Sequence, residues 1–320
     1  EVNSDKIGIG LQMFDRMDGS SNKNGVYGYR LFVNDVLHFS WQANEFDFKQ
    51  DVLLKGFIDY KKHVANARKV YLLYRQQCNP FSYFGEGGDG IIDLTANNMA
   101  NVKIEAYDLY GNVSSTQFKL KNTNSKGIIS EGGTPCDSSQ YFEGTYFKVE
   151  MDNHTLFNST GINISETKEV IDDQNCPVIS IADHLTAVKK YYKISVNEKS
   201  VDDFDRLTLA GFDKAGRMIH YGLDKVDSSY FTKVNKCGDF FLYRDIDKPL
   251  INVISLGRDP DQPWKIKITD NLIPSGRVPD LYFRVTVNGQ WVRMLYDKKS
   301  DMLYFKDFDK LPEGPLNIVI

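Results

Sequence analysis

Short segments in which apolar and polar residues alternate run the length of this chain. A period of two is the period of a strand, because successive side chains point to opposite faces. Tyr27, Tyr29, Leu31 and Val33 alternate with Gly28, Arg30 and Asn34, and only Phe32 blurs the pattern. Val102, Ile104 and Ala106 alternate with Lys103 and Glu105, and Phe147, Val149 and Met151 with Lys148 and Glu150. The same holds for Tyr192, Ile194 and Val196, for Trp264, Ile266 and Ile268, and for Leu281, Phe283, Val285 and Val287. Turn residues separate these runs: Asn34-Asp35, Gly111-Asn112, Asp213-Lys214-Ala215-Gly216 and Asn288-Gly289. Asn288-Gly289 is the strongest hairpin signal among them. Many short strands with turns every ~8–12 residues point to sandwiches rather than a parallel sheet. The aromatic excess, 20 Phe, 18 Tyr and 3 Trp, suits the half-buried faces of such sheets.

One segment breaks the period. Phe57, Tyr60, Val64, Ala67, Tyr71 and Tyr74 recur at spacings of three and four, one stripe of a helix, and Asn79-Pro80 follows. The spacing predicts a single amphipathic helix over 56–76, laid on a sheet by its aromatic stripe. Lys61, Lys62, Arg68 and Lys69 fall mostly off that stripe. The fold class expected is therefore mainly β, with tandem immunoglobulin-like β-sandwich domains and one amphipathic helix in the first. The domains read as 1–122, 141–244 and 245–320. A polar linker over 123–140 carries Gly127, Gly132, Gly133 and Pro135, and a short joint lies at Asp245-Ile246-Asp247-Lys248-Pro249. No fixed repeat period is evident.

Length and charge exclude several classes. At roughly 150 residues per domain, 320 residues accommodate two or three domains. No run approaches the ~18 apolar residues of a membrane helix, and a net charge of −4 gives no basic footprint for nucleic acid. With 10 Pro and 24 Gly the chain does not read as disordered. It opens on Glu1 with no charged-then-apolar leader, the pattern of a mature or trimmed chain. Cys78, Cys136, Cys176 and Cys237 form no Cys-x-x-Cys pair, so a zinc knuckle is not indicated. Separate thiols and one or two disulfides remain open, with three connectivities for a pair of bridges.

The candidate chemistry is sparse. Gly85 to Gly90 is glycine-rich, but no Lys-Ser/Thr follows, so a phosphate loop lacks its cation. The stretch from Asp15 to Gly25 concentrates oxygen ligands, and Asp15, Asp18, Asn22 and Asn24 are calcium candidates. A long turn of residues that tolerate left-handed backbone accounts for the same composition. His220-Tyr221-Gly222-Leu223-Asp224 has the His-x-x-x-Asp spacing of two zinc ligands. A catalytic zinc takes three protein ligands, and no histidine follows His220. The pair is read as a decoy, so no catalytic, cofactor or metal residue is expected. Trp41, Trp264 and Trp291 are candidate binding aromatics, each with core packing as its alternative. Asn112, Asn153, Asn158 and Asn163 head Asn-x-Ser/Thr triplets, which are glycan acceptors only in a eukaryotic secreted chain.

Several runs recur together in a known family. They are Gly25-Val26-Tyr27-x-Tyr29-x-Leu31-x-Val33, Ile58-Asp59-Tyr60, Asp89 to Leu94, Val102 to Asn112 and Gly238 to Asp245 with Pro249-Leu250-Ile251. Asn288-Gly289-Gln290-Trp291-Val292 with Tyr296-Asp297-x-Lys299 completes the set. In this order they resemble the C-terminal, non-catalytic β-sandwich region of large lysostaphin-type (murein endopeptidase family) zinc metallopeptidase homologues of Gram-negative bacteria. The resemblance covers nearly the whole chain. It implies a zinc peptidase domain outside this region, a periplasmic or outer-membrane-associated location, and a further strand beyond Ile320. It also implies envelope proteins, the chain's own peptidase domain or peptidoglycan as partners. The function expected is a non-catalytic cell-envelope scaffold that positions a peptidase domain or docks on an envelope assembly. The alternatives are a part of an active peptidoglycan endopeptidase whose catalytic domain lies elsewhere, and a glycan- or protein-binding sandwich.

Overall fold

The computed structural model describes residues 1–45, 47–81, 84–123, 135–201, 204–259, 261–276, 278 and 281–320. Positions 124–134, most of the expected linker, lie outside the described residues. The protein is mainly β. Two compact units divide it: Glu1–Glu166 with Ile179–Val196 and Lys233–Asp239, and Thr167–Val178 with Asn197–Thr232 and Phe240–Ile320.

The first unit is built on a four-stranded antiparallel sheet in the order Val36–Gln42, Gly28–Val33, Met99–Tyr107, Val113–Lys121. Asn34 and Asp35 both have positive φ (49° and 63°), the two-residue turn whose twist matches the flanking strands. The alternation works as read. Tyr29, Leu31, Phe39, Val102 and Ile104 are buried on one face, where Phe57, Ile92 and Leu94 close over them. Each such side chain contributes roughly 1.5–3 kcal/mol of burial. Phe147–Met151 pairs antiparallel with both Gln140–Glu143 and Tyr192–Val196 in the same unit. A disulfide joins Cys78 to Cys136 across 58 residues, while Cys176 and Cys237 are free and buried.

In the second unit Leu207–Phe212 is hydrogen-bonded to Met218–Gly222 on one side and to the Phe241–Arg244 stretch on the other. A separate four-stranded sheet runs Leu250–Ser255, Trp264–Thr269, Met302–Phe305, Leu295–Asp297. A three-stranded sheet runs Gln290–Val292, Val285–Val287, Ile318–Val319. Both contribute to one core, in which Trp264, Ile266, Ile268, Leu303 and Phe305 meet Val285 and Val287. The turns share a device. Asp108 Oδ1 accepts from the backbone N–H groups of Tyr110 and Asn112, both at 2.9 Å. Asp213 Oδ1 accepts likewise from Ala215 at 2.8 Å and Arg217 at 2.9 Å. A short acidic side chain here mimics a turn's own carbonyl.

The single helix expected over 56–76 is not formed. A 3-10 segment, Phe48–Gly56, precedes a helix of only Tyr60–Asn66, and Tyr71–Leu72 is a strand paired with Gly10–Leu11. Asp59 caps the helix by accepting from Lys62 N, and Ala67 ends it in the left-handed region at φ 54°. No residue of the helix is buried, so packing gives it no reason to extend. The aromatic stripe still converges: Phe57 and Tyr71 rings lie 5.9 Å apart, edge to face. They meet across a turn closed by Asp59 N to Val70 O (2.8 Å) and Leu72 N to Phe57 O (3.0 Å), not along one helix. Spacing alone cannot separate those two geometries.

Candidate interaction surface

Among the described residues Leu250–Ser255 lies at the edge of its sheet and pairs only with Trp264–Thr269, with Ile251 opposite Ile268 and Val253 opposite Ile266. Apolar residues occupy both faces of this strand, yet Leu250 is 71%, Ile251 50%, Val253 47% and Ile254 55% exposed. Leu256 extends the exposed apolar run at its C-terminal end. Edge strands are ordinarily blunted by charge, proline or a bulge. Here no charged residue lies between Lys248 and Arg258. Pro249 stands just before the strand, and the register slips between Val253 and Ser255, so Ile254 is the extra residue of a bulge. Among the described residues no strand pairs with its outer edge, and both its faces are apolar. That is the equipment for adding a further strand, with main-chain bonds for affinity and alternate side chains for selectivity.

The three tryptophans fall in three environments. Trp264 is fully buried, its ring 4.7 Å from Phe305 and its indole N–H donating to Gly257 O at 2.5 Å. Trp41 packs in the aromatic core of the first unit, 4.8 Å from Phe57 and 5.6 Å from Tyr29. A groove of about 450 Å³ runs beside it, lined by Arg30, Gln42, Asn44 and Tyr107 among others. These groups are already tied to one another. Gln42 Nε2 donates to Asn44 Oδ1 (2.7 Å) and Tyr27 O–H (2.9 Å), Tyr107 O–H donates to Gln42 Oε1 (3.2 Å), and Arg30 lies over the Tyr107 ring. Trp291 alone presents its ring outward, at 62% exposure, in a cross-strand row with Thr286 and Val319.

His220 and Asp224 are not brought together. Gly222, with φ at +67°, bends the chain between them. His220 sits in Met218–Gly222, whereas Asp224 is exposed in Asp224–Val226, opposite Phe231. Burial lowers the His220 pKa, against the opposing pull of Asp270 and Asp245. Burial and Asp270 raise Asp245 in turn. Among the described residues no three His, Cys, Asp or Glu side chains are gathered as metal ligands.

The calcium candidates form a hairpin. Asp15 and Asn24 exchange backbone hydrogen bonds at 2.9 Å, and Asp15 Oδ1 accepts from Arg16 N. Asp18, Asn22 and Asn24 are exposed around a turn at Gly19 (φ +77°). Gly85 and Gly88 donate to Ser40 O and His38 O, so the glycine-rich loop runs along a strand.

The edge strand is the feature sequence reading missed. Its signal was present, since Leu250-Ile251-Asn252-Val253-Ile254 is apolar at both parities, the mark of a strand covered on both faces. Comparison with protein-family models finds no match to this chain, and comparison with curated proteins finds none.

Proposed function

We propose that this chain is a non-catalytic cell-envelope scaffold and interaction module of a lysostaphin-type peptidase homologue. It docks on an envelope protein assembly, or positions a peptidase domain, by adding a strand of its partner to the Leu250–Ser255 edge. The observation that carries this reading is the uncharged edge strand with exposed apolar residues on both faces. Immunoglobulin-like sandwiches, the finer reading of the sheets, present such edges on a rigid frame. The Cys78–Cys136 disulfide supports a location outside the cytoplasm, because such bridges persist in oxidising compartments.

The test is co-purification of the native protein from fractionated cells. The wild-type chain is expected in the envelope fraction with a stoichiometric protein partner. The double substitution Ile251→Lys with Val253→Lys is expected to fold and lose that partner. Recovery in the cytosol, or an unchanged partner yield from the double variant, overturns the reading. Trp291 favours a second reading, a glycan-binding module, since an outward aromatic ring is a platform for sugar faces. Under that reading peptidoglycan quenches tryptophan fluorescence in the wild type but not in Trp291→Ala.

A further inference from the structure

Lys189 of the first unit is a buried cation with no carboxylate partner among the described residues. Its side chain is 6% exposed. Its backbone N–H donates to Thr155 O at 3.0 Å, which fixes the stem. Its ammonium donates to the carbonyl of Cys78 and stands 5.7 Å from the centre of the Phe157 ring. No carboxylate acts on it among the described residues: the nearest charged influence is Lys190, which is of the same sign. Burial and Lys190 together bring its pKa down to about 8, so the group is still protonated at neutral pH. Removing an ammonium from water is costly. One carbonyl and one ring face return only part of that cost.

The surroundings say what would complete the pairing. Lys189 lines a cavity of about 490 Å³ together with Leu53, Cys78, Pro80, His154 and Lys190. This volume lies within the range of small-molecule sites. No acidic side chain is among its described lining residues. Lys190 Nζ donates to Asn153 O at 3.1 Å, which holds a second ammonium at the wall. The wall also carries Gln77, whose Oε1 accepts from Ser159 Oγ (2.9 Å), and Asn79, whose Nδ2 donates to Gly56 O (3.2 Å) and whose Oδ1 accepts from Phe81 N (3.1 Å). Leu53, Pro80 and the cystine supply its apolar part. A phosphate would carry more charged oxygens than the two ammonium groups serve. A carboxylate has two oxygens and leaves the apolar wall for its body.

We infer that this cavity binds a small organic monocarboxylate with an apolar body, its carboxylate paired with Lys189 and Lys190 and its body against Leu53 and Pro80. The inference stands apart from the docking role of Leu250–Ser255, which belongs to the other unit.

The experiment uses the oxidised full chain, with octanoate as probe, octanamide as its neutral counterpart and inorganic phosphate as competitor. Calorimetry is expected to show one octanoate per chain, octanamide at least tenfold weaker, and no displacement by phosphate. Octanoate is expected to slow reductive methylation of Lys189 at least fivefold, read by peptide mass spectrometry. Lys189→Met should weaken octanoate at least tenfold, and Lys189→Arg should restore most of the affinity. Equal binding of octanoate and octanamide, displacement by phosphate, no saturable binding, or unchanged methylation each overturns the inference. The methylation measurement and Lys190→Met decide the matter if Lys189→Met does not fold.

Discussion

Leu250–Ser255 and Trp264–Thr269 are neighbours in one sheet and differ in what covers them. Trp264–Thr269 alternates strictly and is paired on both sides, and its Trp264, Ile266 and Ile268 are buried in the core with Val285 and Val287. Leu250–Ser255 is the more apolar of the two, yet none of its residues is buried. Alternation tells which face of a strand meets the core of its own unit. Apolarity beyond that alternation is not used by the unit itself. The proposed docking role accounts for it, since an uncharged apolar edge is a template for pairing with another chain.

The contrast breaks most visibly at Trp264. Trp264→Ala should cost about 3–5 kcal/mol, measured by chemical denaturation, because the cavity lies at the centre of the core. A loss below about 1 kcal/mol would mean that this sheet does not carry its unit. The cross-strand pair Ile266 and Val253 sharpens it further, since the two residues face each other. Ile266→Ala should cost about 2–5 kcal/mol, and Val253→Ala under about 1 kcal/mol in the isolated chain. Equal losses would mean that the edge strand is as enclosed as its neighbour.

A milder comparison is between His220 and Asp224, the half-buried and exposed ends of one motif. The His220 pKa is held below 6.5 by burial, so the folded state disfavours its charged form. The stability this group permits is present above 6.5 and falls as pH drops through its folded value. Asp245, raised by burial, acts in the opposite sense in acid, so the comparison is read against a variant. His220→Asn should lose less stability than the wild type as pH falls from neutral, by a fraction of the core effects. Identical profiles for His220→Asn and the wild type would contradict the burial of His220.

The smallest effect is at the end of the short helix. Ala67 adopts a conformation that costs an L-residue about 1 kcal/mol. Ala67→Gly should therefore stabilise the chain by roughly 0.5–1 kcal/mol. If the helix instead continued through Ala67, glycine would destabilise by a similar amount.

These contrasts mark how far the fold could be read from sequence. Val102, Ile104, Trp264, Ile266 and Ile268 were legible because each lies on a strand with one wet and one dry face, where period two is unambiguous. The segment 56–76 was not, because Phe57 and Tyr71 meet through a turn and a strand while keeping a helical spacing. The disulfide was open to sequence because nothing local distinguishes Cys78 and Cys136 from Cys176 and Cys237. His220 and Asp224 were read as a decoy from the missing third ligand, and they lie on separate strands. Leu250–Ser255 was passed over because it lacks alternation: Leu250, Ile251, Val253 and Ile254 are apolar at both parities.

A photo-crosslinking amino acid placed at Leu250, and separately at Lys267 on the adjoining strand, probes the docking edge in the native cell. Crosslinking from position 250 to a single envelope protein, with position 267 silent or far weaker, is the predicted result. Equal yields from the two positions, products only with a second copy of this chain, or none from position 250 would contradict it.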